Sequence, residues 1–182
     1  MMMKRETMLL DYDECESPIG RILFASNGEG ICALDYAGYE SRMNSLLTRR
    51  LGDFEFRRDS DPFQLKRRLR SYFDGDLHSL DKTPVSIAGT TFQEQVWKAL
   101  REIPVGHTRT YGELAVRLGR ALAARAVGHA NALNPVAIVV PCHRVIGASS
   151  RLTGYAGGLE RKEWLLQHEK SQGTLLSLPY TG

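Results

Sequence analysis

Thr110-Tyr111-Gly112-Glu113-Leu114-Ala115-Val116-Arg117-Leu118-Gly119-Arg120-Ala121-Leu122-Ala123-Ala124-Arg125-Ala126-Val127-Gly128-His129-Ala130-Asn131-Ala132 holds a helix start, a stop and a second helix in one run. Thr110-x-x-Glu113 is a capping box: the threonine hydroxyl accepts from a free first-turn amide and the glutamate reaches back. A helix therefore opens here and runs to about Leu118. Gly119-Arg120 makes a tight turn. Residues 122–132 form a second helical segment of mostly small side chains, with Ala123, Ala124, Ala126, Gly128, Ala130 and Ala132. Helix, glycine turn and small-residue helix are the helix-turn-helix arrangement.

Outward from this run, Thr91-x-x-Glu94 reads as another capping box. Phe92, Val96, Trp97 and Leu100 then share one helical face, and Ile103-Pro104-Val105-Gly106 ends that helix. Residues 161–170 form a last amphipathic helix with Trp164 and Leu165 inward. Trp97 and Trp164 read as core, since both sit among Leu and Val at helical spacing. The first half differs. Residues 8–12, 21–26 and 31–34 read as short strands, punctuated by Ser17-Pro18-Ile19-Gly20 and Asn27-Gly28-Glu29-Gly30. Two helices follow: residues 40–51, with Met43, Leu46 and Leu47 on one face, and residues 63–73, with Phe63, Leu65, Leu69 and Phe73 on another. In the latter the run Lys66-Arg67-Arg68 points mainly outward. Residues 74–89 lack a period and carry Gly75, Pro84 and Gly89, which reads as a linker. The fold class is α+β.

Charge is unevenly spread. Residues 1–86 carry 13 Lys+Arg against 15 Asp+Glu, a net of −2, whereas residues 87–182 carry 11 against 6, a net of +5. A basic second half is the footprint expected where one domain meets a polyanion such as DNA. No apolar run reaches the ~18 residues of a membrane span. The first six residues lead into no stretch of signal-peptide length, so a cytoplasmic location is expected. The three cysteines, Cys15, Cys32 and Cys142, are an odd number without a C-x-x-C pair, which argues against a disulfide framework. Zinc takes about four ligands at short spacing. Cys15 and Cys32 have only the distant His78 near them, so no metal is expected.

The chemistry concentrates in Asn134-Pro135-Val136-Ala137-Ile138-Val139-Val140-Pro141-Cys142-His143-Arg144-Val145. An apolar run delivers a cysteine beside a histidine, with Arg144 as a second cation. A neighbouring imidazole or positive charge can lower a thiol pKa from about 8.5 to between about 3.5 and 7.5. Spacing alone leaves two readings of Cys142, an activated nucleophile or an inert buried thiol.

Pro141-Cys142-His143-Arg144-Val145 is similar to the signature of the O6-alkylguanine-DNA alkyltransferases. The likeness extends in order and spacing from about residue 91 to 169, through Phe92-Gln93-x-x-Val96-Trp97, Ile103-Pro104-x-Gly106, Thr110-Tyr111-Gly112-x-Leu114-Ala115, Ala124-Arg125-Ala126-Val127-Gly128, Asn134-Pro135, Gly154-Tyr155-Ala156-Gly157-Gly158 and Lys162-x-Trp164-Leu165-Leu166. The first half resembles the bacterial two-domain members more loosely, through Ser17-Pro18-Ile19-Gly20. The resemblance implies a ribonuclease-H-like α/β domain with its linker in residues 1–86. It implies a mostly helical, winged helix-turn-helix-like domain in 87–172 and a tail in 173–182. It implies a cofactor-free monomer that acts on double-stranded DNA containing O6-alkylguanine. Relatives often accept O4-alkylthymine too. The alkyl group passes once and irreversibly to the protein's own cysteine.

In that family pattern Cys142 is the nucleophile, His143 its base through a bridging water, and Glu169 the acid that orients the imidazole, a relay of triad type. Arg125 is the finger that replaces a flipped base, and Ala123 and Ala124 let its helix approach the minor groove closely. Tyr111 helps turn the nucleotide outward. Tyr155 lines the base pocket, with Gly157 and Gly158 leaving room for guanine. Asn134 is the hinge into the active segment, and the backbone of Cys142 and Val145 accepts from the guanine amino group. His78, His107, His129 and His168 match no catalytic position. Read without the resemblance, Arg125 is an exposed helical arginine, Glu169 a solvated helix-end acid, and Tyr111 and Tyr155 are amphipathic core residues.

Two departures stand out. Arg120-Ala121-Leu122-Ala123 replaces the family's usual proline or glycine before the finger helix, so that helix starts earlier or its turn tightens. The first half lacks the Cys-Cys-His-His zinc set of some relatives. Three rival classes are a DNA-binding scaffold without the cysteine, a helix-turn-helix regulator and a cysteine hydrolase. The first conflicts with Cys142, the second lacks a ligand or dimerisation element, and the third turns over.

Overall fold

The computed structural model describes residues 7–58, 61–148 and 152–173, and gives no side-chain placement for 171–173. The signal-peptide reading of residues 1–6 and nearly all of the tail lie outside the described residues. Strands β1 (Met8–Cys15), β2 (Ile22–Ser26) and β3 (Ile31–Tyr36) pair antiparallel, with Tyr12 opposite Ala25 and Phe24 opposite Leu34. A fourth strand, β4 (Phe54–Arg58), pairs parallel with β1 and completes the order β3-β2-β1-β4. Helix α1 (Glu40–Leu51) has the expected bounds and lays Met43 and Leu47 on Leu10, Leu23, Ala25, Cys32 and Ala33. The opposite sheet face carries Cys15, Ile22, Phe24, Leu34 and Tyr36 and belongs to the larger core. Both faces of β2 and β3 are therefore covered, which is why they read as continuous apolar runs.

The helix expected at 63–73 begins later, as α2 (Leu65–Phe73), after a tight helical turn at Pro62–Gln64. Phe63 sits outside it with φ 55°, and Leu65, Leu69 and Tyr72 are the buried residues. Lys66 is not simply outward, since its ammonium pairs with the buried Asp13 at 2.5 Å. The segment read as a linker is no free tether. Leu77, Leu80 and Thr83 are buried, and Val85 forms a parallel bridge with Ile31 on the edge of β3.

The second half has α3 (Thr91–Arg101), β5 (Arg109–Thr110), α4 (Tyr111–Arg117), α5 (Ala124–Ala132), β6 (Val145–Ile146) and α6 (Leu159–Gly173). The cap of α3 differs from expectation by one residue. Thr90, in an extended conformation (φ −69°, ψ 155°), is the N-cap, with Gln93 as its reciprocal partner. The Glu94 carboxylate instead accepts from the Gly89 amide at 3.0 Å. The Thr110/Glu113 box on α4 is formed as read. Helix α5 starts at Ala124, not 122, with no capping side chain at Ala123. The missing breaker therefore does not lengthen the helix: residues 120–123 form a turn, in which Leu122 is fully exposed. Strands β5 and β6 form a two-stranded parallel ribbon beside the helices.

Candidate active site and nucleic-acid interface

Residues 134–145 are buried throughout. Irregular backbone in a protein interior needs partners for its polar groups, and here a bridge between Leu34 and Val136 supplies part of them from the first half. Leu34 on β3 donates to Pro135 O (2.9 Å) and accepts from Ala137 N (3.1 Å). Asn134 closes the other side: its Nδ2 donates to Val140 O (2.8 Å) and its Oδ1 accepts from Val136 N (3.0 Å). Asn134 thus staples the segment from within. Ile138 takes a left-handed conformation (φ 66°), a strained state for a β-branched residue. The chain then enters a single helical turn, Cys142–Arg144.

Cys142 is buried, and burial pushes its thiol pKa up against the Asn134 amide and the charges of Arg42 and Lys162. Arg144, expected to act as a cation on the thiol, turns away. Its Nε and an NH group donate to the two oxygens of Glu169, both at 2.9 Å, and its other NH group donates to Ile103 O at 2.7 Å. The resting cysteine is therefore a thiol, not a standing thiolate. The other two thiols are also buried and raised to about 11, which makes them inert.

His143 is fully buried, and its Nε2 lies 2.9 Å from Glu169 Oε1. Glu169 is buried too, on α6, although a helix-end acid is usually solvated. Burial opposes its ionisation, but His143 and Arg144 hold the carboxyl well below the usual range. Tyr72 Oη also donates to Oε1 (2.8 Å) and the Gly106 amide reaches Oε2 (3.4 Å). An ionised carboxylate can only accept, so His143 carries its proton on Nε2. Burial lowers the pKa of the imidazole and keeps it neutral. Its Nδ1 is then a lone pair, with no hydrogen-bond partner among the described residues. Sequence reasoning missed Tyr72, Gly106 and the true partner of Arg144, because nothing in the sequence shows which residues converge on Glu169.

The loop after residue 152 is tied to the end of the segment 134–145. Buried Lys162 donates to Val145 O (2.5 Å) and Thr153 O (2.7 Å), and Tyr111 Oη, at the start of α4, donates to Thr153 O (3.2 Å). Tyr111 also covers Gly128 on α5, whose missing Cβ would touch the ring at 3.7 Å. Tyr155 Oη lies 2.7 Å from Tyr36 Oη. At Gly157 a Cβ would stand 2.3 Å from the Tyr36 ring, so only glycine fits there. Gly158 (φ 92°) makes the left-handed turn into α6. Gly157 thus admits the Tyr36 ring against its backbone, and Gly158 admits the turn. Of the two backbone acceptors expected, Cys142 O receives the Val145 amide and Asn131 Nδ2, and Val145 O receives Lys162 Nζ.

Arg125, on the first turn of α5, is exposed and makes no ion pair or side-chain hydrogen bond with the described residues. Ala123 and Ala124 flank it, half-buried. Among the described residues no group of three or more His, Cys, Asp or Glu could hold a metal, and no helix is long and apolar enough to cross a membrane.

Fold and site together define a protein that carries a buried thiol, and beside it in sequence a histidine paired with a buried carboxylate, in the same half as a helix-turn-helix. Two family models match: "6-O-methylguanine DNA methyltransferase, ribonuclease-like domain" over residues 10–87, and the DNA binding domain of the same name over 91–171. A Shigella flexneri methylated-DNA--protein-cysteine methyltransferase is 49% identical over 144 residues, covering 75% of this chain and 81% of that one. A Methanosarcina barkeri protein of the same name is 48% identical over 160 residues, covering 88% and 97%. The crystal structure of Mycobacterium tuberculosis O6-methylguanine methyltransferase superposes with a TM-score of 0.75 at 42% identity, covering 90% of this chain and 94% of that one. A second M. tuberculosis structure, in complex with DNA, gives the same score over 89% of this chain. This chain belongs to the 6-O-methylguanine DNA methyltransferase family.

Proposed function

We propose that this chain repairs DNA by direct reversal, moving the alkyl group from O6-alkylguanine in a duplex onto Cys142 Sγ. The observation that carries the reading is the buried His143–Glu169 pair, which commits Nε2 and leaves Nδ1 without a partner among the described residues, a base available to the neighbouring residue Cys142. The Cys142 proton passes to Nδ1 through a bridging water. The sulfur then attacks the alkyl carbon from behind the C–O6 bond. That bond breaks, its electron pair stays on the purine, and the purine recovers a proton and is left as guanine. Glu169 stays ionised and stabilises the imidazolium. A thioether is a poor leaving group, so the thiol does not return and each molecule acts once.

A base inside a duplex must first be extruded, at a cost of a few kcal/mol. Exposed Arg125, backed by the small side chains of α5, fits the role of the finger that fills the gap from the minor groove. Tyr111 rotates the nucleotide outward, Tyr155 lines its pocket, and the backbone of Val145 accepts from the purine amino group. The division at residues 86 and 87 and a cytoplasmic, reducing location, in keeping with three free thiols, belong to the same proposal.

Intact-mass measurement after mixing with O6-methylguanine duplex tests it. One methyl mass on Cys142, at one per molecule, is expected, and Cys142→Ala should bind the duplex and gain none. Sustained turnover, or an unmodified Cys142 with the lesion persisting, would remove the reading.

A further inference from the structure

Among the contacts that the first domain makes with the second half, one meets the loop that carries Tyr155. Tyr36 ends β3 and is fully buried. Its hydroxyl is bonded to that of Tyr155 (2.7 Å), and its ring fills the space that a side chain at Gly157 would need. The Arg161 guanidinium lies over the same ring, 4.5 Å from its centre, and donates to Gly157 O (2.7 Å) and to Ile19 O (2.8 Å) in the first domain. Tyr36 is therefore gripped on its hydroxyl by the loop that carries Tyr155 and on its ring by Arg161 in the first turn of α6. Burial above all keeps both tyrosine hydroxyls protonated.

We infer that Tyr36 is a positioning residue of alkyl transfer: from the first domain it fixes Tyr155 and the Gly157 turn and so limits the size of the alkyl group presented to Cys142. The inference rests on the alkyl-transfer reading. It also gives the first domain a part in the chemistry beyond scaffolding. A polar contact that locks an aromatic wall removes freedom the wall would otherwise have, and a looser wall penalises a small group that depends on close placement more than a large one.

The test is a double-mutant cycle of Tyr36→Phe and Tyr155→Phe, each removing one hydroxyl while keeping the ring. Single-turnover transfer is measured at saturating O6-methylguanine and O6-benzylguanine free bases, with thermal midpoints alongside. Each single variant should slow methyl transfer by about tenfold and benzyl transfer less, raising the benzyl-to-methyl ratio by about threefold. The double variant should be no slower than either single, because both remove the same bond. Additive losses, unchanged rates, or equal slowing on both bases would overturn the inference, the last because a general loss of structure does not discriminate by size. Absence of transfer by the unaltered protein would instead refute the functional reading itself.

Discussion

Glu169 carries more of the site than its position near a helix end suggests. Its two oxygens take hydrogen bonds from His143, Arg144, Tyr72 and the Gly106 amide, with no solvent exposure. Removing one partner of a buried ion pair leaves the other charged and desolvated, a loss of about 3–5 kcal/mol. Glu169→Ala should therefore lower stability by about that amount in urea titration, besides abolishing the tautomer that makes Nδ1 basic. The same burial sets the pH response. His143 titrates below its ordinary 6.5 and Cys142 above its ordinary 9.0. The reactive form is thus a neutral thiol beside a neutral imidazole, and the proton moves between them internally. Transfer rates should stay level from about pH 7.5 to about 6.5 and fall only at lower pH. An acid limb centred at or above the ordinary histidine value would contradict this. Stability follows the same sign: because the folded pKa of His143 is depressed, its contribution is present above 6.5 and is lost as pH falls through the folded value.

At the scale of the elements, α5 shows how a helix can be legible while its setting is not. Its alanines and glycine announce close approach, and Arg125 stands exposed on its first turn. Arg125→Ala should leave transfer from the free base intact and slow repair of duplex by about one to two orders of magnitude, if filling the vacated stack offsets a cost of a few kcal/mol. Equal loss on both substrates would argue against the finger role. The capping box on α4 and the apolar faces of α1 and α3 were readable because their signals are local. Strand β4 was not. Phe54-Glu55-Phe56-Arg57-Arg58 is a short, largely exposed edge strand whose identity comes from pairing with β1, at the other end of the domain. The cap of α3 was misplaced by one residue because Thr90 and Thr91 both fit the motif, and only backbone angles choose between them. Cys142, His143 and Glu169 could be named from the family pattern, but the turning of Arg144 onto Glu169 and the tyrosines of the first half depend on tertiary contacts alone.

For the whole molecule, the two domains do not have two independent cores. One cluster runs from Phe24, Leu34 and Tyr36 on the sheet to Trp97, Val127, Val140 and Leu165 in the second half. Polar ties cross the same boundary: Leu34 to the active segment, Arg42 to Ala132 O and Asn134 O, Tyr72 to Glu169 and Arg161 to Ile19. Opening either domain would expose the apolar face of the other and leave buried carbonyls unpaired, a cost neither could bear alone. Unfolding should therefore be a single cooperative transition despite the two-domain sequence. Two probes separate the halves. Trp97 fluorescence reports on the second, and the reaction of buried Cys32 with a thiol reagent reports on the first. In urea the two should share one midpoint. Midpoints separated by more than measurement error would mean that the transfer segment can outlive the sheet edge it hangs on, and the grip of the first domain on the site would then be incidental.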